Sequence, residues 1–449
     1  MKSIQVKNTY DLQLSGLPDT ACDTVDETDF YGVSPSRIKE LKAKLLVKEG
    51  QAVKVGSCLF FDKKNEKNVF LSPVSGTVEK IEYGDRRALQ NIVIKSDKQF
   101  QKETLFDKQT LASIDKLEDK DVADLIQKGG LWSVFTAYPF QMTPNSDLLP
   151  PAIYVSIDSD EPHLPQSQIF CEGEKDNFLA GLKALKKMTS TVHVGVADKT
   201  KLKETKILEH VTHRLKGHYP ANNHGVFLYY NKKDASENSS WGVSAQDVIR
   251  IGKLLTEGTY PNEKVIVVAG ALVKKPRHLK VVEGYPVKAL EKELTKKAGL
   301  RVVAGGVLTG QRSSIDSFIS YNEYAVHFLQ EGKEQEMFTF FRPGFDKPTF
   351  GRTYLSALVK KEEWEMNTCL NGGHRACIAC GECPKVCPVE SHPQFFMKDL
   401  EAGDIEKPIE QGFLDCVSCG ICTYVCPSKI ELDSIFYDAR QKIAKEAGV

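Results

Sequence analysis

Neither sign of charge predominates in this chain: Lys+Arg and Asp+Glu both number 60 over 449 residues. With no net field to gather polyanions, a nucleic-acid partner is not expected. Long apolar runs are lacking as well. The densest, residues 265–273, falls short of the roughly 18 to 20 apolar residues that cross a bilayer as a helix. Residues 1–14 mix charged and apolar side chains without the apolar core of a secretory leader. With 41% hydrophobic and 27% charged residues and no low-complexity tail, the expectation is a soluble chain of roughly three or four domains, or one that meets a membrane only through partner subunits.

Cysteine, by contrast, is concentrated. Eight of the twelve cysteines fall in two copies of one spacing: Cys377, Cys380, Cys383, Cys387 before Pro388, and Cys416, Cys419, Cys422, Cys426 before Pro427. Each is the C-x₂-C-x₂-C-x₃-C-P run of a cubane iron–sulfur site, and a pair of them predicts two [4Fe–4S] clusters. In the two-cluster arrangement the fourth cysteine of each run ligates the other cube. The expected ligand sets are therefore Cys377, Cys380, Cys383 and Cys426 for one cluster, and Cys416, Cys419, Cys422 and Cys387 for its neighbour. Gly381 and Gly420 follow the second cysteine of each run, where absence of a Cβ would let backbone amides approach the cluster sulfurs. Disulfides do not suit C-x₂-C runs in a long chain with no recognisable leader, and zinc is usually met by paired C-x₂-C knuckles without a third cysteine and C-P. Cys22, Cys58, Cys171 and Cys369 stand alone and are expected to be incidental thiols. His374, beside the first run, is expected to be a surface or supporting residue, since eight thiolates already satisfy two cubes.

The rest of the chain reads as a multidomain α+β protein. Residues 45–97 carry short β-rich pieces punctuated by glycine, ending in Ser72-Pro73-Val74-Ser75-Gly76-Thr77-Val78, a small all-β unit resembling the barrel-sandwich fold of biotinyl and lipoyl carriers. The stretch around Lys63–Lys67 lacks the methionine-flanked lysine of those carriers, so a packing role is expected. Residues 122–258 alternate apolar β-branched runs (153–157, 192–196) with a helix over 178–188, an α/β pattern of buried parallel strands. Within it, Lys128-Gly129-Gly130-Leu131-Trp132 is a weak candidate for a phosphate cradle. Residues 265–279 and 302–310, closed by Gly305-Gly306 and Gly310, fit a small β-grasp-like module; Lys274, Lys275 and Arg277 are expected to form a solvated turn. The tail from Asn371 is expected to be helical between the cysteine runs, with Phe395, Met397, Leu400 and Ile405 closing over the clusters and shielding them from water.

This order of units, together with Gly129-Gly130-Leu131-Trp132, Gly217-His218-Tyr219-Pro220, Trp241 with Gln246-Asp247-Val248, Lys275-Pro276-Arg277, Leu308-Thr309-Gly310 and Arg352-Thr353-Tyr354-Leu355-Ser356, resembles the NqrA family, one of the six kinds of subunit in the Na⁺-translocating NADH:quinone reductase. The resemblance implies four regions: 1–110 with a barrel-sandwich-like domain, 111–257 as a Rossmann-like α/β domain related to the flavin-binding domain of sister families, 258–335 as a β-grasp (SLBB-like) module, and 336–449 as a helical, ferredoxin-like domain with two 4Fe–4S motifs. It further implies a peripheral subunit on the cytoplasmic side of the bacterial inner membrane. Its partners would be the other subunits of a membrane redox pump that oxidises NADH, reduces ubiquinone and exports sodium, with ubiquinone as a possible substrate ligand. Familiar members of the family keep only remnants of the cysteine runs. Complete runs resemble the sister family, the RnfC subunits of the Rnf ferredoxin:NAD⁺ oxidoreductase. That sister holds flavin through a G-x-G-G-A-G-F-P-T loop, whereas this chain has K-G-G-L-W-S-V-F-T-A-Y-P-F over 128–140. Trp132 would obstruct a flavin phosphate there, so FMN is not expected, although Asp160-Glu161-Pro162 keeps a trace of the sister's E-P element.

Three functions follow from these readings. In one the chain is an electron-relay subunit of the sodium pump. In another it is a quinone-docking scaffold whose clusters are structural. In a third it is an electron-input subunit like RnfC, or a soluble flavin dehydrogenase, which the missing glycine series disfavours.

Overall fold

The computed structural model describes all residues except 39, 297, 333–340, 342, 352, 360–362, 371 and 449. Arg352, Asn371 and the expected boundary at 335/336 therefore lie outside the described residues. The first layered unit packs a three-stranded sheet (Ala43–Leu45, Cys58–Asp62, Asn65–Leu71) on a four-stranded one, ordered Phe30–Val33, Leu89–Ser96, Gly76–Tyr83, Ala52–Val53. Period-two alternation turns Val78, Ile92 and Ile94 inward to meet Leu59, Phe60 and Val74, all fully buried. Lys63 and Lys64 form the exposed turn of one hairpin.

The second unit is a six-stranded sheet ordered Lys2–Gln5, His213–Lys216, Val192–Ala197, Ile153–Ser156, Trp241–Ser244, Thr136–Ala137. All neighbours are parallel except the last pair. Ile153, Tyr154 and Val155 are completely buried, as a parallel strand covered on both faces must be. Helices Lys175–Met188 and Ala245–Glu257 pack together over the sheet, and Phe227 of helix His224–Asn231 meets Tyr154 edge to face at 4.9 Å. Strand order reverses between Ile153–Ser156 and Trp241–Ser244, the position where open α/β sheets open a crevice at their carboxyl ends.

The third sheet runs Gln311–Ser313, Leu300–Ala304, Ala325–Gln330, Glu263–Ala269, Arg277–Val282, Asp19–Thr24. Its two central strands are parallel and the hairpins flanking them antiparallel. The basic cluster departs from expectation at Arg277. Lys274 and Lys275 are exposed, but Arg277 begins a strand and pairs with Asp23 at 3.4 Å and Glu293 at 3.0 Å, fastening the N-terminal strand to the sheet. The first residues thus leave the small barrel altogether: Lys2–Gln5 edges the second sheet and Asp19–Thr24 the third.

The tail contains helices Glu382–Lys385, Pro393–Glu401, Glu406–Glu410, Ile421–Val425 and Leu432–Glu446. Phe396, Phe413 and Phe436 form its centre, their ring centroids 5.6 to 6.0 Å apart.

Candidate metal centre and the cavity beside it

The two cysteine runs fold alike. Ala379 and Gly381 in the first, and Ser418 and Gly420 in the second, take left-handed backbone conformations at φ +52°, +73°, +53° and +74°. Each glycine caps a short helix, Glu382–Lys385 or Ile421–Val425. After the fourth cysteine both chains turn in the same way, with Glu390 N donating to Cys387 O at 3.1 Å and Lys429 N to Cys426 O at 3.2 Å; Glu390 and Lys429 are again left-handed. A left-handed non-glycine residue costs roughly 1–2 kcal/mol, so four of them in register mark a backbone shaped for a purpose other than its own hydrogen bonding. The structure gives the two glycines a requirement of their own, the left-handed turn. A Cβ at Gly381 would meet nothing within 4 Å, so φ alone selects glycine there, whereas a Cβ at Gly420 would stand 3.0 Å from the Leu308 carbonyl.

Cys377, Cys380, Cys383 and Cys426 line one cavity, closed by Gln394, Met397, Ile430 and Leu432. The Cys383 thiol donates to Gln394 Oε1 at 3.2 Å. The other four cysteines lie near one another: Cys416 acts on Cys387, and Cys419, Cys416 and Cys387 act on Cys422, as does Cys383 of the first set. Burial pushes the thiol of Cys383 up to about 12 and that of Cys387 up to about 11, and raises Cys419 and Cys422 too. Such thiols become thiolates when metal charge replaces the proton. Among the described residues no three His, Cys, Asp or Glu side chains close around a single-ion position. A cube holds its thiolates apart across its corners, and the donor set of four thiols around a void fits that group. Phe396, Phe413, Phe436 and Met397 pack against Cys377, Cys383, Cys416, Cys422 and Cys426, with Leu400 and Ile405 at the margin. Phe395 does not join them. It is 48% exposed, because helix Pro393–Glu401 turns the adjacent Phe396 inward instead.

The two loops differ in surroundings. Cys380 is exposed and Ile378 beside it 66% exposed, while Cys419 is buried. The second loop is held by three side chains that no sequence pattern connects with it. Gln141 Nε2 donates to Cys416 O at 2.6 Å, Tyr219 Oη to Cys419 O at 2.8 Å, and Arg440 to Cys416 O at 2.7 Å and Ser418 Oγ at 2.5 Å. His374 is exposed. Of the lone cysteines, Cys22 and Cys369 are exposed, Cys58 is half-buried and Cys171 buried.

Val417 and Ser418 also form one wall of a cavity of about 1020 Å³ at the reversal point of the α/β sheet. Ser156, Asp160, Asn222 and Asp247 line it. Asp160 accepts from Asn222 N at 2.7 Å and Nδ2 at 2.6 Å; burial, offset by these bonds, pushes its carboxyl up to about 6. Glu161 accepts from Leu308 N at 2.8 Å, Thr309 N at 3.0 Å and Thr309 Oγ1 at 2.8 Å, so the E-P trace ties the α/β unit to the third sheet. Ser156 Oγ and Asn222 Oδ1 are buried and lack a partner. The glycine pair at 129–130 is not a phosphate cradle. It follows helix Asp119–Lys128, a Cβ on Gly129 would strike Leu254 and one on Gly130 would strike Leu71, and Trp132 is fully buried with Nε1 donating to Pro144 O at 2.9 Å.

Comparison with known proteins agrees with this architecture. The family descriptions matched are "NqrA N-terminal barrel-sandwich hybrid domain" over residues 4–97, "NqrA second alpha/beta domain" over 117–260 and "4Fe-4S dicluster domain" over 376–431. The protein is thus multidomain, with a barrel-sandwich domain, a second α/β domain and an iron–sulfur domain. The NqrA subunit of the Na(+)-translocating NADH-quinone reductase of Photorhabdus laumondii is 30% identical over 92% of both chains. Its counterpart from Pasteurella multocida is 30% identical over 99% of this chain and all of its own, and that from Neisseria meningitidis is 28% identical over 92% of both. With this identity sustained across three domains and nearly the full length, the chain belongs to the NqrA family of Na⁺-translocating NADH-quinone reductase subunits.

Proposed function

We propose that this chain is a peripheral subunit of a Na⁺-translocating NADH-quinone reductase and relays electrons through two [4Fe–4S] clusters on the way to quinone. The observation that carries the reading is the gathering of Cys377, Cys380, Cys383 and Cys426 around one cavity, with the other four cysteines beside it and both runs in the same backbone shape. Bound clusters would supply one-electron acceptance and donation. The chain's own residues do the rest. Cys377, Cys380, Cys383 and Cys426 hold one cluster, and Cys416, Cys419, Cys422 and Cys387 hold the other; the shared cavity of the first set supports this crossing. The exposed Cys380 side faces donors, and the buried second loop, hydrogen-bonded by Gln141, Tyr219 and Arg440, faces the large cavity.

That cavity favours quinone as the ligand over flavin mononucleotide. The Asp160 carboxylate in its lining disfavours a phosphate, and the Gly129-Gly130 loop is filled by side chains. The unpartnered Ser156 Oγ could donate to a quinone carbonyl, and Asn222 Oδ1 could accept from a hydroxyl of the reduced quinol. The four regions 1–110, 111–257, 258–335 and 336–449 serve as working domains. The third is read as a β-grasp module because its last strand lies beside its first, with hairpins on either side. No helix among the described residues is long and apolar enough to cross a membrane; docking on the cytoplasmic face through membrane partners is the corresponding arrangement.

Anaerobically purified protein tests the reading. About eight iron atoms and as much acid-labile sulfide per chain are expected, four per cube. Zinc, or no metal, would refute the relay. Tight FMN bleached by NADH would replace it with the dehydrogenase reading.

A further inference from the structure

Among the described residues two arginines are almost wholly buried, and they are treated differently. Arg250, 2% exposed, is neutralised by Asp247 at 3.4 Å and by Glu283. Arg440, equally buried, donates only to uncharged groups, Ser418 Oγ and the Cys416 carbonyl, stacks over the Phe413 ring at 5.7 Å and leaves Nε without a partner. Among the described residues no carboxylate pairs with it. A buried cation without an anion is costly by several kcal/mol, so the fold that retains Arg440 implies an anion beside it. Both of its hydrogen bonds end on residues 416–418, the loop that carries the second thiol group. Among the described residues the first loop has no equivalent: Arg375 and Lys385 are exposed and Lys429 is half-buried, where water screens them.

We propose that Arg440 is the charge partner of the second cluster and gives it a higher reduction potential than the first, so that electrons settle on the loop adjoining the large cavity. This rests on the two-cluster reading above. The physical cause is direct. Reduction adds one negative charge, and a fixed guanidinium in a water-poor site stabilises that added charge more than it stabilises the oxidised form. Direction of flow then follows from position: the exposed Cys380 side is the entry and the loop beneath Arg440 the sink. Arg440 acts through the cluster's environment and is a positioning residue, not a ligand.

Arg440→Gln keeps a donor for the Cys416 carbonyl while deleting the charge. In an anaerobic redox titration of the full chain followed by electron paramagnetic resonance, one of the two midpoints should move to more negative potential, with the other midpoint and the iron content unchanged. Arg440→Lys, which keeps the charge, should bring that midpoint back toward its original value. Unmoved midpoints in the Gln variant, or a Lys variant as low as the Gln variant, would overturn the proposal. If the Gln variant loses half its iron, full iron in the Lys variant supports the charge requirement and loss there too refutes it. An iron-free wild-type chain would instead defeat the cluster reading itself.

Discussion

Asp160 is the residue whose protonation the fold alters most usefully. Its carboxyl is pushed by burial from the ordinary 3.8 to about 6, so the folded protein still holds a proton that the unfolded chain has released across that interval. The contribution of this carboxyl to stability should therefore fall as pH rises from about 4 to about 6 and then level off, opposite in sign to the contribution of His163, His213 and His224, which burial holds neutral down to about 4. In Asp160→Asn that contribution should vanish, and denaturant titrations of both proteins across the interval would measure it as the difference between their slopes. A slope unchanged by the substitution would mean that another group binds the proton. Tyr219→Phe probes the neighbouring hydrogen bond to the Cys419 carbonyl. It should cost about 1–3 kcal/mol, because a buried acceptor is left unpaired, and it should leave the iron content intact. Neither residue was legible as part of the site. Asp160 belongs to a short E-P trace and Tyr219 to a local family match, and their partners lie 62 and 200 positions away, beyond the reach of any local pattern. Arg440 was invisible for the same reason: within helix Leu432–Glu446 it looks like one more solvated charge until the helix is seen to turn it inward.

Among elements, the cysteine loops were the most legible, because their spacing encodes the site within a dozen residues and needs no distant partner. What spacing could not encode was their unequal surroundings. Gly381 and Gly420 occupy equivalent left-handed turns, yet only Gly420 lies against another unit, through the Leu308 carbonyl. Alanine at either should cost about 1–2 kcal/mol in backbone strain. Gly420→Ala must also displace the 308 loop, so it should lose its cluster absorbance faster than Gly381→Ala under chelator challenge; equal rates would argue that the contact is slack. The crossed ligation proposed above makes a second prediction. Cys387→Ser should resemble Cys419→Ser, and Cys426→Ser should resemble Cys380→Ser, in which paramagnetic signal disappears. The opposite grouping would show that each run serves its own cube. Helix periodicity erred by one position at Phe395, since Phe395 and Phe396 are adjacent and both apolar, and only packing against Phe413 and Phe436 selects the inward one.

Over the whole molecule, the barrel strands and the parallel α/β strands were legible from alternation and from β-branched runs. Their assembly was not. Sheet edges are completed by residues from the far end of the sequence, and nothing in the composition of residues 2–5 or 19–24 names a partner. The pairing of Lys2–Gln5 with His213–Lys216 is open to hydrogen exchange. The amides of Lys2 and Val6, which donate to Thr212 O and Lys216 O, should be protected well beyond the outward-facing amides between them. Exchange at the rate of a frayed terminus would contradict the pairing.

The N-terminal thread has a consequence for how the protein comes into being. During synthesis Lys2–Gln5 emerges well ahead of the strand it must join, which follows 211 residues later, and Asp19–Thr24 waits for Arg277–Val282. Contacts this distant in sequence slow folding, so both segments stay unpaired on the ribosome while the small barrel closes without them. Maturation of the α/β and third sheets is thereby deferred until well over half of the polypeptide exists, and a truncated nascent chain would leave two sheets with open edges prone to join the wrong neighbour.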